Sequence, residues 1–130
     1  MTDHPAHILV VDDDAMIQKT LKRCLEQAGH RVSLASNGRQ AVARLEDDRP
    51  DIIILDLFMP EMDGFETLRQ VNCGAIGTRV LAISGGGSSA HCDYLDMASR
   101  FGAHGVLRKP FTPAQLVAAV DTLLPEAPAH

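Results

Sequence analysis

Residues 51–56 read Asp51-Ile52-Ile53-Ile54-Leu55-Asp56, four consecutive apolar residues between two carboxylates. A strand with one wet face alternates apolar and polar side chains. An unbroken, mostly β-branched run instead predicts that Asp51 to Leu55 is a central strand of a parallel sheet, covered on both faces. Asp56 ends the run, and Leu57-Phe58-Met59-Pro60-Glu61-Met62-Asp63-Gly64 follows as a loop.

Upstream, His7 to Val11 is a second buried-strand pattern, closed by Asp12, Asp13 and Asp14. Ile17, Leu21, Leu25 and Ala28 then recur at helical spacing, with Asp14 as N-cap and Gly29 just past the end. Arg31 to Ala35 is polar at alternate positions, which suits an edge strand. Asn37 with Gln40 reads as a capping box before the stripe Ala41, Val42, Leu45, and Arg49-Pro50 stops that helix.

Downstream, a short helix is expected near Phe65 to Val71. Thr78 to Ile83 is a fourth strand, closed by Ser84 and Gly85-Gly86-Gly87. Ser88 to Phe101 reads as a helix with Tyr94, Leu95, Ala98 and Phe101 on one side. His104 to Leu107 is a fifth strand, and Lys109-Pro110-Phe111 a turn. Thr112, Pro113 and Gln115 cap a last helix carrying Leu116, Val117, Val120, Leu123 and Leu124, and Pro125 to His130 form a tail. Five βα units predict an α/β, doubly wound, five-stranded parallel sheet with helices on both faces.

The whole chain has 130 residues, room for one domain and not for a second of ordinary size. An apolar content of 45% excludes a disordered or collagen-like chain. Twelve Lys and Arg against seventeen Asp and Glu give −5, which disfavours a broad nucleic-acid surface and suits a cation ligand. Cys24, Cys73 and Cys92 fit neither a disulfide framework nor a metal site, and point to a reducing cytosol. No membrane span or signal peptide is expected.

Ligands on such sheets sit beyond the strand C-termini, where strand order reverses. With order 2-1-3-4-5, strands one and three are neighbours, and Asp12 or Asp13 converges with Asp56. Asp is also common in turns and caps, so Asp12 to Asp14 alone support either a cap or a ligand reading. A hard divalent cation would resolve the like-charge crowding. A carboxylate such as Asp56 can attack phosphorus when cations neutralise the phosphoryl oxygens. Lys109 is the candidate side-chain cation, and Ser84 can donate a hydroxyl. Taken singly, each is as well explained as a solvated lysine or a turn residue; their joint placement at successive strand ends is not.

These residues carry a resemblance. The chain resembles the receiver domain of bacterial two-component response regulators, single-domain chemotaxis regulators among them. Leu9-Val10-Val11-Asp12-Asp13-Asp14 matches the first strand and acidic pair, and Asp56 to Gly64 the phosphoacceptor loop. Leu81-Ala82-Ile83-Ser84-Gly85 matches the hydroxyl strand, and Lys109-Pro110-Phe111 the lysine turn. The resemblance implies the flavodoxin-like fold over residues 7–124, between an extension (1–6) and a tail (125–130). It implies that Asp56 takes a phosphoryl group from a phosphohistidine of a sensor histidine kinase or phosphotransfer protein. It implies Mg²⁺ on Asp12, Asp13, Asp56 and the Phe58 carbonyl, with Lys109 and Ser84 on the phosphoryl oxygens. Lys109-Pro110 is where a cis bond could occur.

Two departures matter. The family usually carries Tyr or Phe three residues before the lysine, and here Val106 holds that switch position. Phe58 and Gly86, two residues after Asp56 and Ser84, offer no polar group to orient water, so slow loss of phosphate is expected. Gly85 to Ser89 would form a permissive loop. The fourth helix, fifth strand and last helix are the face relatives use for output, and a homodimer through it is one expectation.

The leading function is a phosphoacceptor switch or relay intermediate in the cytoplasm, with no catalysis beyond its own phosphorylation and hydrolysis, no nucleic-acid contact and no membrane insertion. One alternative is a small aspartate-nucleophile phosphohydrolase, which would need a general acid and a cap. The other is a phosphorylation-independent pseudo-receiver. With no room for an effector, the chain is either a stand-alone receiver or a piece of a longer regulator, and its downstream target is not legible.

Overall fold

The computed structural model describes residues 6–57, 66, 67, 69, 70, 78–84 and 102–124. The Pro60 to Gly64 loop, the Ser88 to Phe101 helix, the Gly85 to Ser89 run and the Pro125 to His130 tail lie outside them. Of the helix expected near Phe65 to Val71, the described residues Glu66, Thr67, Arg69 and Gln70 are helical.

Five parallel strands form one sheet in the order β2-β1-β3-β4-β5: β1 (His7–Val11), β2 (Arg31–Ala35), β3 (Ile52–Asp56), β4 (Arg79–Ser84) and β5 (Gly105–Arg108). Three helices described from end to end accompany them: α1 (Ala15–Gln27), α2 (Gly38–Asp48) and α3 (Pro113–Leu123). The expected fold class and strand order hold. The strands β3, β4 and β5 begin one residue later than the patterning suggests, because Asp51, Thr78 and His104 serve as hydrogen-bonding brackets before them. Asp51 accepts the His7 N–H on its Oδ2 at 2.9 Å, the Thr78 hydroxyl donates to the Pro50 carbonyl at 2.7 Å, and His104 Nδ1 accepts the Val80 N–H at 3.0 Å.

Strand alternation divides the core in two. Leu9, Val11, Ile53, Leu55, Val80 and Ala82 pack on one face with Ala41 and Leu45 of α2. Ile8, Val10, Ile52, Ile54, Leu81 and Ile83 pack on the other with Leu21 and Leu25 of α1 and Leu116, Val120 and Leu123 of α3. Both faces of β1 and β3 are therefore covered, which is why Ile8 to Val11 and Ile52 to Leu55 are continuously apolar. Among the described residues, no helix is long and apolar enough to cross a membrane.

The caps read from sequence form, with one difference. Asp14 accepts from the Met16 and Ile17 amides, and Gly29, at φ 101°, turns the chain out of α1. Thr112 and Gln115 make a complete capping box. At α2, Asn37 accepts from the Gln40 amide, but the Gln40 side chain accepts from Ser36 N–H rather than from Asn37, so the box is not closed. The longer reach ties the β2–α2 corner rather than the cap residue.

Candidate functional site

The parallel arrangement brings every strand C-terminus to one edge. There β1 and β3 are direct neighbours, with Val11 opposite Leu55, so the next residues, Asp12 and Asp56, face each other. Asp12 is 3% exposed and Asp56 6%, whereas Asp13 is exposed. One carboxylate oxygen from each of Asp12, Asp13 and Asp56 falls within 4.8 Å of the others.

Lys109 follows β5 and reaches across the end of β4. Its Nζ lies 3.6 Å from Asp12 Oδ2 and 3.6 Å from Asp56 Oδ2. The peptide between Lys109 and Pro110 is cis. One lysine cannot neutralise three carboxylates, and the set offers only hard oxygen donors. This is the chemistry a small divalent cation satisfies. Burial pushes the Asp12 carboxyl above its ordinary value; the Asp14 N–H and Lys109 oppose the shift, and Asp13 adds to it.

Asp12 is held from several sides. Its N–H donates to the Ala35 carbonyl at 3.1 Å, and its Oδ1 accepts the Asp14 N–H at 2.9 Å. Leu57, next to Asp56, donates its N–H to the Ile83 carbonyl at 3.0 Å, so the chain leaving β3 stays pinned to β4. Ser84 is the last residue of β4, opposite Arg108. Val106 of β5, opposite Ala82 of β4, is 39% exposed. Phe58 and Gly86 lie outside the described residues. Asp14 is occupied as the α1 cap.

Two residues escaped the sequence reading. Gln18 of α1 is 8% exposed and donates from Nε2 to the Asp12 carbonyl, the Ala35 carbonyl and Ser36 Oγ. Its spacing from Leu21 and Leu25 places it on the buried stripe, a signal hidden by its polarity. His30, at the opposite edge of the sheet, has a fully buried side chain. Its Nδ1 accepts the Ala6 N–H at 3.1 Å, and its Nε2 lies 3.9 Å from Asp121 Oδ1 without a hydrogen bond.

The sequence matches the family described as the response regulator receiver domain over residues 8–121. A response regulator MprA of Mycolicibacterium vanbaalenii is 38% identical over 121 residues, covering 92% of this chain and 51% of that protein. The MprA of Mycobacterium ulcerans is 37% identical over 118 residues, covering 90% and 49%. The chain thus spans about half the length of these curated relatives. Among solved structures, the chemotaxis protein CheY4 of Vibrio cholerae superposes with a TM-score of 0.82 at 32% identity, covering 93% of this chain and all of that one. NtrX of Brucella abortus gives 0.86 at 28% identity, covering 93% of this chain and 28% of that one.

Proposed function

The chain belongs to the response regulator receiver domain family, and from that premise we propose that Asp56 is the phosphoacceptor of a two-component phosphorelay. The observation that carries this reading is the convergence of Asp12, Asp56 and Lys109 at one sheet edge. Residues 7–124 are the receiver domain, flanked by 1–6 and 125–130.

In the proposed reaction, an Asp56 carboxylate oxygen attacks the phosphorus of a phosphohistidine on a sensor histidine kinase or phosphotransfer protein. A P–O bond forms as the P–N bond breaks, and the donor imidazole keeps the electron pair. Lys109 already sits against the Asp56 carboxylate and offsets charge on the incoming phosphoryl oxygens. Ser84, ending the neighbouring strand, supplies a hydroxyl donor to the same group. Asp12, Asp13, Asp56 and the Phe58 carbonyl would hold Mg²⁺, which, when bound, neutralises phosphoryl charge. The aspartyl phosphate then alters a protein-binding surface near Val106, where a small β-branched side chain replaces the aromatic ring usual in the family. In this reading the chain assists its own phosphorylation and hydrolysis, in the cytoplasm.

The test is phosphorylation by acetyl phosphate with and without Mg²⁺, read by intact mass. Wild type gains one phosphoryl group in Mg²⁺, and Asp56→Ala gains none. Equal labelling of Asp56→Ala would refute the assignment, and an unlabelled wild type would favour a phosphorylation-independent binding module.

A further inference from the structure

We infer that Gln18 is a positioning residue for the acidic pair, setting the peptide from which Asp13 departs. The inference rests on the reading of Asp12, Asp13 and Asp56 as a Mg²⁺ site. The buried stripe of α1 is Gln18, Leu21 and Leu25. An apolar side chain of similar volume would pack there without the cost of burying an amide. The amide instead spends both of its hydrogens on three acceptors: the carbonyls of Asp12 and Ala35 and the hydroxyl of Ser36.

The Asp12 carbonyl belongs to the peptide plane that joins Asp12 to Asp13. Its partner therefore fixes the direction in which Asp13 leaves the chain. Asp12 is already pinned at its N–H by Ala35 and at its carboxylate by Asp14 and Lys109. Gln18 closes the remaining backbone freedom. It also joins the β1–α1 and β2–α2 corners, since Ala35 O receives both the Asp12 N–H and the Gln18 amide. Gln18 touches no carboxylate oxygen in this network, so it acts through the backbone. Groups of this kind, one step behind a metal's ligands, typically change metal affinity about 10–100-fold when removed.

The experiment is calorimetric titration with MgCl₂ alone, at a temperature where each protein is folded. It compares wild type with Gln18→Met, which keeps the volume and removes the donor, and with Gln18→Ala, which admits water to the carbonyls. Thr78→Val is the control, because it deletes a buried hydroxyl-to-carbonyl bond at the far edge of the sheet. Mg²⁺ binding weakens about tenfold or more in the Gln18 variants and is unchanged in Thr78→Val. A folded Gln18 variant with wild-type affinity overturns the inference alone. Equal weakening in Thr78→Val, or failure of both Gln18 variants to fold, assigns the residue to general stability and also overturns it. Wild type that binds no Mg²⁺ overturns the metal-site reading, and this inference with it.

Discussion

Replacing Asp56 by Asn is expected to stabilise the cation-free protein, although the substitution destroys the acceptor. Lys109 Nζ lies 3.6 Å from Asp56 Oδ2. At an effective dielectric of about 20 this attraction is worth about 4.6 kcal/mol. Against it stand two carboxylates within 4.8 Å, each repelling Asp56 by about 3.5 kcal/mol at that dielectric. Asp13 is exposed, so its share is screened by solvent. The net relief from removing the Asp56 charge is then about 1–2 kcal/mol. For a domain of this size that raises the unfolding midpoint by about 3–7 °C. Thermal unfolding followed by circular dichroism near neutral pH, in a chelator and again in saturating Mg²⁺, reads the effect. Mg²⁺ stabilises the wild type by mass action and closes the gap. An Asp56→Asn midpoint at or below wild type in chelator would refute the charge argument. A gap indifferent to Mg²⁺ would refute the cation site.

Other outcomes follow from features away from the carboxylates. Burial lowers the pKa of His30 below its ordinary 6.5, with Asp121 opposing. The unfolded chain therefore takes up the proton first: the His30 contribution is fully present above that value and is lost as pH falls below it. Urea midpoints at falling pH should drop more steeply for wild type than for His30→Gln, and parallel slopes would refute this. Gly105→Val should cost about 1–3 kcal/mol in urea unfolding, since a Cβ there lies 3.3 Å from Leu123 Cδ1 and 3.4 Å from Leu81 Cδ1. An unchanged midpoint would show that these leucine ends yield freely.

Much of this architecture was legible because local and global signals agree. The run Ile52 to Leu55 forms a strand buried on both faces, and Asp14 and Thr112 cap the helices their spacing suggested. Strand order then accounts for how Lys109, more than fifty residues from Asp56, comes to lie beside it. Gln18 was not legible, because its polarity argues for solvent although its spacing puts it on the stripe of Leu21 and Leu25. Its partners become visible only when β1 and β2 end side by side. His30 follows the helix-ending Gly29, a place that suits a turn, and its burial depends on Ala6 and on α3, both distant in sequence. Gln40 shows the same limit at short range, since a one-residue difference in reach separates a closed box from a corner tie.

The place of β1 in the sheet has a consequence for how the chain is made. β1, the first of the five strands in chain order, is flanked by β2 and β3, and its pairing with β3 joins residues forty-four apart, Ile8 with Ile52. Until β3 has left the ribosome, one edge of β1 has no partner, and Leu9, Val11 and Ala35 can gather only half of their core. The face that holds Ile8 and Val10 waits longer still, for α3 at the far end of the domain. The nascent chain thus carries the apolar run Ile8 to Val11 incompletely covered until α3 is made, the stage at which open strand edges are most exposed to pairing with other chains. Closure of that face falls to the stretch that runs from Lys109 through α3.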